Sequence, residues 1–178
     1  DLKLDRKPGD AQEYSNFAAS VLGYLIAENA KTTYQELLQD RISKPLGMND
    51  CTVDLTSDQK KRFAVPHDQP GSPTSAWSFA DLPGAGGINA TMFDMMRFAK
   101  AQLNPPPGKM GEAIELAWKQ HSTADESGSA TGLGWMIAGD GETHWHNGGT
   151  GGSRSAIFIN RRIKSAVIVL CNTSVTTE

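Results

Sequence analysis

A polar, glycine-rich segment near the end of the chain joins two stretches that have the pattern of β-strands. The two stretches cover residues 143–146 and 155–160, and the joining segment reads His146-Asn147-Gly148-Gly149-Thr150-Gly151-Gly152. Glycine has no Cβ, so a ligand can lie close to the backbone of such a segment and bind its N–H and C=O groups. These residues alone leave two interpretations open, an edge strand that holds a ligand and a glycine-rich hairpin turn.

A second polar motif, Tyr14-Ser15-Asn16, lies far upstream and follows Pro8-Gly9. From residue 15 to residue 29 apolar side chains recur with the helical period, which predicts a helix. Tyr14 and Asn16 are thereby placed at the helix entrance, where polar groups can face a cleft while the body of the helix packs below. The apolar positions of this helix are Phe17, Val21, Leu22, Leu25 and Ile26.

Three further helices are expected from the helical period and from end signals. Thr91 and Asp94 form the pattern of a capping box, and Pro45 and Pro105 are expected to stop the helices before them. The segment between residues 51 and 87 is rich in Pro, Ser, Asp and Gly, which is typical of an irregular surface segment. The expected helices cover residues 34–42, 91–102 and 110–120.

After His121 the pattern changes to short strands, which are joined by turn residues such as Gly139-Asp140-Gly141. Helices first and an antiparallel meander second is the pattern of an α+β protein. We therefore expect an antiparallel sheet flanked by helices, with residues 1–121 mainly helical and irregular and residues 122–178 forming the strands. The expected strands cover residues 132–138, 143–147, 153–160 and 164–172.

Charge and hydropathy argue against two classes of partner. The net charge of -3 comes without a basic run, so nothing in the sequence points to nucleic acid or to an anionic membrane. The longest apolar run, residues 166–171, is too short to span a bilayer, and no signal peptide is visible. Cys51 and Cys171 lie far apart and define no disulfide framework, and we expect Cys171 to be a buried free thiol in an apolar strand.

Cofactor and metal motifs are weak in this sequence. There is no Gly-x-Ser-x-Gly elbow and no phosphate loop, and Gly84-Ala85-Gly86-Gly87 does not complete a dinucleotide fingerprint. His144 and His146 share one strand face, which is compatible with zinc, but no Cys or carboxylate cluster lies nearby in the sequence. We expect no cofactor and no metal, and we expect Trp135 and Trp145 to be core or cleft-wall aromatics.

Several short motifs follow one another in a fixed order over nearly the whole chain. They are Pro8-Gly9, Tyr14-Ser15-Asn16, Leu22-Gly23, Pro45-Leu46-Gly47-Met48, Gly86-Gly87 with Thr91 and Asp94-Met95, Gly132-Leu133-Gly134-Trp135, and the segment 146–152. This order resembles the serine β-lactamase and penicillin-binding superfamily, and it is most similar to class C β-lactamases, DD-peptidases and related esterases. The resemblance implies a β-lactamase/transpeptidase-like fold, of which residues 1–178 would be the C-terminal portion of a single catalytic domain with part of its helical subdomain.

The nucleophile motif of that superfamily, Ser-x-x-Lys, should lie well before Tyr14. The pattern occurs here at Ser57-Asp58-Gln59-Lys60, behind Thr56, a plausible helix N-cap. The charged residues around it predict a solvated helical turn, whereas a lysine that acts as a base must be partly desolvated. We therefore interpret Ser57 as a chance match and expect the true nucleophile upstream of this chain.

The resemblance also implies roles for individual residues. Tyr14 would carry the proton of the serine to the leaving group, which a phenol can do only where neighbouring cations stabilise its phenolate. His146 would be one such neighbour, in a place where many relatives have lysine, a stronger fixed charge. Asn16 would bind the acyl side chain of the substrate, and the backbone N–H of Gly149 would form half of the oxyanion hole. The rest of the substrate-binding wall would be Asn147, Gly148 and Thr150.

The resemblance therefore implies a serine hydrolase that forms an acyl-enzyme with a β-lactam, a peptidoglycan stem peptide or a small ester. Its partners would be this small-molecule or peptide substrate and the missing N-terminal segment of the same protein, and this chain alone would be inactive. A periplasmic or extracellular location is also implied. Two alternatives stay open: a catalytically silent module that binds cell-wall peptide or penicillin, and a structural α+β domain in which Tyr14 and His146 lie far apart.

Overall fold

The computed structural model describes residue 3, residues 5–69 and residues 71–174. It has the expected α+β architecture, in which a five-stranded antiparallel sheet packs against helices. The helices are α1 (Asn16–Ala30), α2 (Tyr34–Leu38), α3 (Lys44–Leu46), α4 (Ser57–Arg62), α5 (Met92–Leu103) and α6 (Lys109–Trp118), with a π-helical turn (Gln39–Ser43) and a 3₁₀ turn (Pro83–Ala85). The strands are β1 (His67–Gln69), β2 (Ser72–Pro73), β3 (Ala130–Thr131), β4 (Met136–Ile137), β5 (Thr143–Thr150), β6 (Ser153–Asn160) and β7 (Ser165–Cys171).

Helix α1 begins where the sequence predicts. The Ser15 hydroxyl accepts a hydrogen bond from the backbone N–H of Ala18 at 3.1 Å, which caps the first turn. The helix ends at Lys31, whose backbone has a left-handed φ of 54° and whose N–H donates to the carbonyl groups of Ala27 and Glu28. Both ends of the helix are therefore set by local hydrogen bonds.

The buried face of α1 is not the one that its apolar pattern predicts. The helix buries the small residues Ser20, Gly23 and Ala27, and it packs against the 3₁₀ turn Pro83–Ala85. Its large apolar side chains, which are half exposed or more within the described structure, are Phe17, Leu22, Leu25 and Ile26. The helical period thus located the helix correctly and its packing surface wrongly.

Pro45 does not stop the second helix, contrary to the prediction. The chain continues from α2 through the π-helical turn into α3, and Pro45 lies in the first turn of α3. Pro45 comes just after the π-helical turn, where the i→i−4 hydrogen-bond pattern is interrupted, so its missing N–H breaks no regular α-helical bond. The helix ends instead at Gly47, which has a left-handed φ of 68°.

The predicted capping box at the start of α5 is confirmed. Thr91 donates its backbone N–H to Asp94 Oδ2 at 3.0 Å and its hydroxyl to the same oxygen at 2.7 Å, and the N–H of Asp94 donates back to Thr91 Oγ1. Asp94 is buried, and its Oδ1 also accepts from the backbone N–H of Asp50 at 3.4 Å. The cap therefore fixes both the start of α5 and the preceding loop.

The large sheet has the strand order β3-β4-β5-β6-β7, and every neighbouring pair is antiparallel. The two long strand pairs are β5 with β6 and β6 with β7. The first begins with Thr143 opposite Asn160, and the second ends with Asn160 opposite Ser165. One face packs against α5 and α6, and Ile159 is fully buried there. The core that results consists of Ala99, Ala101, Ile114, Trp118, Trp135, Ile157 and Ile159, which confirms Trp135 as a core aromatic.

The opposite face of the sheet has no cover within the described residues. The alternation of apolar residues in the last two strands predicts Val167 and Val169 against flanking helices, but they are 55% and 44% exposed because they point away from α5 and α6. On the same face the half-buried Trp145 stacks on Phe158 with ring centroids 5.9 Å apart. Cys171, expected to be buried, is exposed near the end of β7, while Cys51 is the buried thiol. These predictions of burial were wrong for one reason: strand alternation predicts the two faces of a sheet but not what covers each of them.

Candidate active site

Tyr14 and Asn16 lie on either side of the residue that caps α1. The Tyr14 hydroxyl donates a hydrogen bond to Asn16 Oδ1 at 2.9 Å, and 56% of the tyrosine is exposed. Because Ser15 fixes the first turn of the helix, its two neighbours are held at the helix entrance. The phenol is thus oriented by an amide and remains accessible from solvent.

The structure brings Tyr14 together with His146, which comes from strand β5. Their ring centroids are 6.1 Å apart, and the ring planes are inclined by 41°. His146 is half-buried and pairs with Ile157 of β6, so its backbone position is set by the sheet. The two rings are close enough for a single substrate group or a water molecule to contact both. A purely structural domain, in which these residues lie far apart, does not fit this geometry.

The glycine-rich segment is a strand rather than a hairpin turn. Strand β5 continues through Gly148 and Gly149 to Thr150, and the turn follows at Gly151-Gly152, where Gly152 has a left-handed φ of 74°. Strand β4 pairs with β5 only at His144 and Trp145. From residue 146 to residue 150 the ladder partners within the described residues all come from β6, which leaves the other edge open.

An open edge offers hydrogen-bonding groups to a ligand. In an antiparallel strand successive N–H groups point to alternate sides, so every second N–H group between residues 146 and 150 faces away from β6. Glycine at 148 and 149 keeps side chains off this edge, and a Cβ at Gly149 would meet nothing closer than Arg154 Nη1 at 3.7 Å. The strand can therefore bind an extended substrate through its main chain.

The side chains of the predicted substrate wall do not all face the same way. Alternation puts Thr150 on the face of His146, and the Thr150 methyl group lies near Gly86. Asn147 pairs with Ala156 and falls on the opposite face, beside the exposed surface that contains Trp145. Of the predicted wall residues, Asn147 can therefore contribute its backbone to the cleft but not its side chain.

Ser57 has the surroundings that the sequence predicts. Thr56 caps α4 through a capping box with Gln59, and Ser57 is the first residue of the helix. Ser57 and Lys60 are exposed, and the neighbouring Lys61 is paired with Asp58 at 2.7 Å. Because Lys60 is exposed, this Ser-x-x-Lys match lacks the desolvated base that a nucleophile needs.

His144 faces the core and does not extend the site. Its Nε2–H donates to the Trp118 carbonyl oxygen at 2.9 Å, and its ring stacks on the indole with centroids 3.8 Å apart. His144 and His146 are therefore not two arms of one metal site, since one is committed to helix α6. Within the described residues no group of three or more His, Cys, Asp or Glu side chains is arranged to hold a metal ion.

Two aromatic residues at the far end of β5 were missed by the sequence analysis. A Cβ at Gly151 would overlap the indole of Trp77, and a Cβ at Gly86 would lie 3.0 Å from the ring of Phe79. The two rings have centroids 6.3 Å apart, and Trp77 is 61% exposed. They lie in a segment rich in Ser and Pro that we had treated as irregular surface, and the pattern Trp-x-Phe within it was the available signal.

The fold and the site define a protein of the β-lactamase and transpeptidase class, and the comparison with known families agrees. The model of the Beta-lactamase family matches residues 1–178. The chain belongs to the Beta-lactamase family.

Two bacterial proteins are among the relatives of this chain, and one of them is named as a peptidase. It is 28% identical over 176 residues to Protein flp of Staphylococcus aureus (strain MW2), a match that covers 96% of this chain and 35% of that protein. It is 34% identical over 102 residues to the D-alanyl-D-alanine-carboxypeptidase/endopeptidase AmpH of Escherichia coli (strain K12), covering 57% of this chain and 26% of that protein. The chain thus spans about a third or less of the length of these relatives.

Solved structures show the same fold. A class C beta-lactamase superposes with a TM-score of 0.81 at 18% identity, covering 97% of this chain and 56% of that one. A Beta-Lactamase/D-Alanine Carboxypeptidase from Pseudomonas syringae superposes with a TM-score of 0.85 at 17% identity, covering 98% and 58%. At these identities the likeness establishes the fold, which confirms the α+β architecture expected from the sequence.

Proposed function

We propose that the complete protein is a serine hydrolase that acts through an acyl-enzyme on a β-lactam, a peptidoglycan stem peptide or a small ester. The observation that carries this proposal is the proximity of Tyr14 and His146, with ring centroids 6.1 Å apart, beside the open edge of β5. A proton acceptor next to a strand of free backbone N–H groups is the arrangement that acyl transfer needs. Residues 1–178 would then be the C-terminal portion of a single catalytic domain.

The reaction would proceed in two steps around these groups. Tyr14 takes the proton of the serine hydroxyl, whose oxygen attacks the substrate carbonyl, and the charge that develops on the carbonyl oxygen is held by the N–H of Gly149 and by the nucleophile's own N–H. Tyr14 then gives the proton to the leaving group as the old bond breaks. In the second step water, activated in the same way, releases the acyl group and restores the serine.

The nucleophile is proposed to lie upstream of Tyr14, in a segment of the same protein that this chain does not include. The exposed position of Ser57 and Lys60 supports this, because neither has the buried setting of an activated pair. The similarity to a D-alanyl-D-alanine-carboxypeptidase/endopeptidase and to a Beta-Lactamase/D-Alanine Carboxypeptidase favours a D-alanyl peptide among the three substrate classes. A periplasmic or extracellular location is proposed on family membership, and no helix among the described residues is long and apolar enough to cross a membrane.

A second candidate function is a binding module that holds cell-wall peptide or penicillin without turnover. One observation favours it: within the described residues the only Ser-x-x-Lys match lies in the solvated turn of α4. The two functions differ in what the upstream sequence must contain. A Ser-x-x-Lys motif roughly 60 to 100 residues before Tyr14 is required by the hydrolase and not by the binder.

Intact-mass spectrometry after incubation with a penicillin, and separately with an activated ester, tests the proposal. We expect no adduct on residues 1–178 alone and one acyl adduct per molecule when the upstream segment is present. The matched control is Ser57→Ala in the complete protein, which should keep the adduct. An adduct that maps to Ser57 would overturn the assignment of the nucleophile, and a complete protein that binds penicillin without any adduct would support the binder instead.

A further inference from the structure

Substrate selectivity can be assigned to one end of the proposed site, and this inference rests on the proposed function. Along β5 the groups of the reaction follow one another in a fixed order. His146 lies beside Tyr14, where the proton reaches the leaving group, and Gly149 lies three residues further on, where the carbonyl oxygen would be held. The acyl side chain of the substrate must therefore extend past Gly149, toward Thr150 and Gly151.

Trp77 is the side chain that stands at this end. Gly151 follows Gly149 by two residues and begins the turn after β5. The indole of Trp77 packs directly on Gly151, so closely that a Cβ at that position would overlap its Cδ1 and Nε1 atoms. An aromatic ring attached to the acyl carbonyl through one methylene group would extend in this direction, because Gly151 lies only two residues beyond the proposed oxyanion position at Gly149.

Phe79 extends the same aromatic surface toward Thr150. Its ring packs on Gly86, and Gly86 in turn lies against the Thr150 methyl group, since a Cβ there would be 3.0 Å from Phe79 and 3.4 Å from Thr150. The centroids of Trp77 and Phe79 are 6.3 Å apart, with the planes inclined by 57°. A third ring can join such a pair in an edge or offset arrangement, which aromatic groups prefer.

The segment that presents these rings is held in place by the backbone. The N–H of His67 donates to the Gly152 carbonyl at 3.0 Å, and the N–H of Thr74 donates to the Pro66 carbonyl at 2.8 Å. Immediately after Phe79, Ala80 has a left-handed φ of 44°, a conformation that a non-glycine residue keeps only where its surroundings impose it. The exposed indole is therefore positioned before any ligand arrives.

We propose that Trp77, together with Phe79, makes the enzyme selective for substrates whose acyl group carries an aromatic ring. An exposed tryptophan fixed beside the substrate strand gains contact with such a ring and loses it with a small aliphatic acyl group. Trp77 is thus a specificity-determining residue, and it takes no part in the proton transfers.

The test measures kcat/KM of the complete protein for two esters with the same leaving group, one with a phenylacetyl and one with an acetyl group. We expect a preference for the phenylacetyl ester of about tenfold, which Trp77→Ala removes and Trp77→Phe partly keeps. Phe79→Ala is a second variant and should weaken the preference. A loss of folded protein changes both kcat/KM values equally, so the ratio reports selectivity even where a variant is less stable.

Ile163→Ala is the matched control. Ile163 is also an exposed apolar residue, but it lies in the turn between β6 and β7, at the opposite end of the sheet from Gly151. The control should leave the preference unchanged. An unchanged ratio in Trp77→Ala overturns this inference and leaves the proposed function standing, whereas a complete protein that cleaves neither ester and forms no acyl adduct overturns both.

Discussion

The imidazole of His144 lies flat against the indole of Trp118, with ring centroids 3.8 Å apart, and donates a hydrogen bond to the carbonyl oxygen of the same residue at 2.9 Å. This contact joins β5 to the end of α6. The guanidinium carbon of Arg161 lies 3.8 Å from the same indole. His146 follows His144 by two residues on the same strand face. The contact of His144 with Trp118 therefore also helps to fix the position of His146 beside Tyr14.

His144→Ala is expected to lower the free energy of unfolding by about 2–3 kcal/mol. The variant loses a buried stack and a hydrogen bond and leaves a cavity between sheet and helix. Urea unfolding followed by circular dichroism measures the change. The control is His121→Ala, since the exposed His121 also contacts a carbonyl oxygen, that of Leu116 at 3.0 Å, and should cost at most about 0.5 kcal/mol. Equal effects of the two variants would contradict the structural role of His144.

Tyr14→Phe in the complete protein is expected to slow acylation by a factor of roughly 100 or more. The variant keeps the ring beside His146 and removes the hydroxyl that would carry the proton. Stopped-flow measurement of the acylation rate tests this, and the control is Tyr24→Phe, which changes an exposed tyrosine of helix α1. An acylation rate that falls by less than threefold would show that the proton path avoids Tyr14.

His146→Ala is expected to act in part on substrate binding, because His146 lies in the strand that is proposed to hold the substrate. We expect a rise in KM along with a smaller loss in kcat than Tyr14→Phe causes. Steady-state kinetics on the complete protein separates the two effects. If both variants show equally small changes in the acylation rate, the pair does not form the proton-transfer centre.

Lys31→Gly is expected to stabilise the protein by about 1 kcal/mol. Lys31 has φ 54° and ψ 44° at the C-terminal end of α1, a left-handed conformation that glycine adopts without the Cβ penalty. Lys100→Gly provides the opposite case, since Lys100 lies inside α5, where glycine costs about 1 kcal/mol. Thermal unfolding of both variants should therefore give shifts of Tm of opposite sign.

The ionised carboxylate of Asp140 contributes to the stability of the folded protein, and this contribution is lost at low pH. Hydrogen bonds from the backbone N–H and hydroxyl of Thr143 and from the backbone N–H of Glu142 lower the pKa of Asp140 from 3.8 to about 2. Because the pKa is lower in the folded state, this contribution is complete above about pH 4 and is lost as the pH falls through about 2. Asp140→Asn should be less stable than the wild type at pH 6 and should lose less stability between pH 4 and 2.

The measurement for Asp140→Asn is the dependence of Tm on pH from 7 to 2. Asp81→Asn, which removes a carboxylate from an exposed position in the segment after Phe79, is the charge-matched control. Its curve should run parallel to that of the wild type. Parallel curves for both variants would show that the turn before β5 does not depend on the Asp140 carboxylate.

The sequence predicted the structural features that depend on contacts between residues close to each other along the chain. The cap at Thr91 and Asp94 is a contact between residues three apart, so its pattern is visible in the chain. The packing of α1 and the exposed side of Val167 could not be predicted, because a period marks an apolar face without identifying what covers it.

The same distinction between local patterns and distant contacts applies to the candidate site. The motifs placed Tyr14 and His146 correctly beside each other, and this came from the family resemblance rather than from the period of either segment. The contribution of Trp77 depends on a contact with Gly151, far along the chain, that no local pattern contains. The sequence does not predict the direction of the Asn147 side chain, because strand alternation applies only where residues 146–150 are known to form a strand and not a turn.

Gly148 and Gly149 leave the middle of β5 without side chains. Under the proposed function, recognition at this point would depend on backbone groups, which are the same for every residue type and are insensitive to most substitutions. The surrounding loops would then determine which substrate is accepted, while the strand and the helix entrance would supply the chemistry. Substrate preference could change through a few loop positions, and the groups proposed for catalysis would stay as they are.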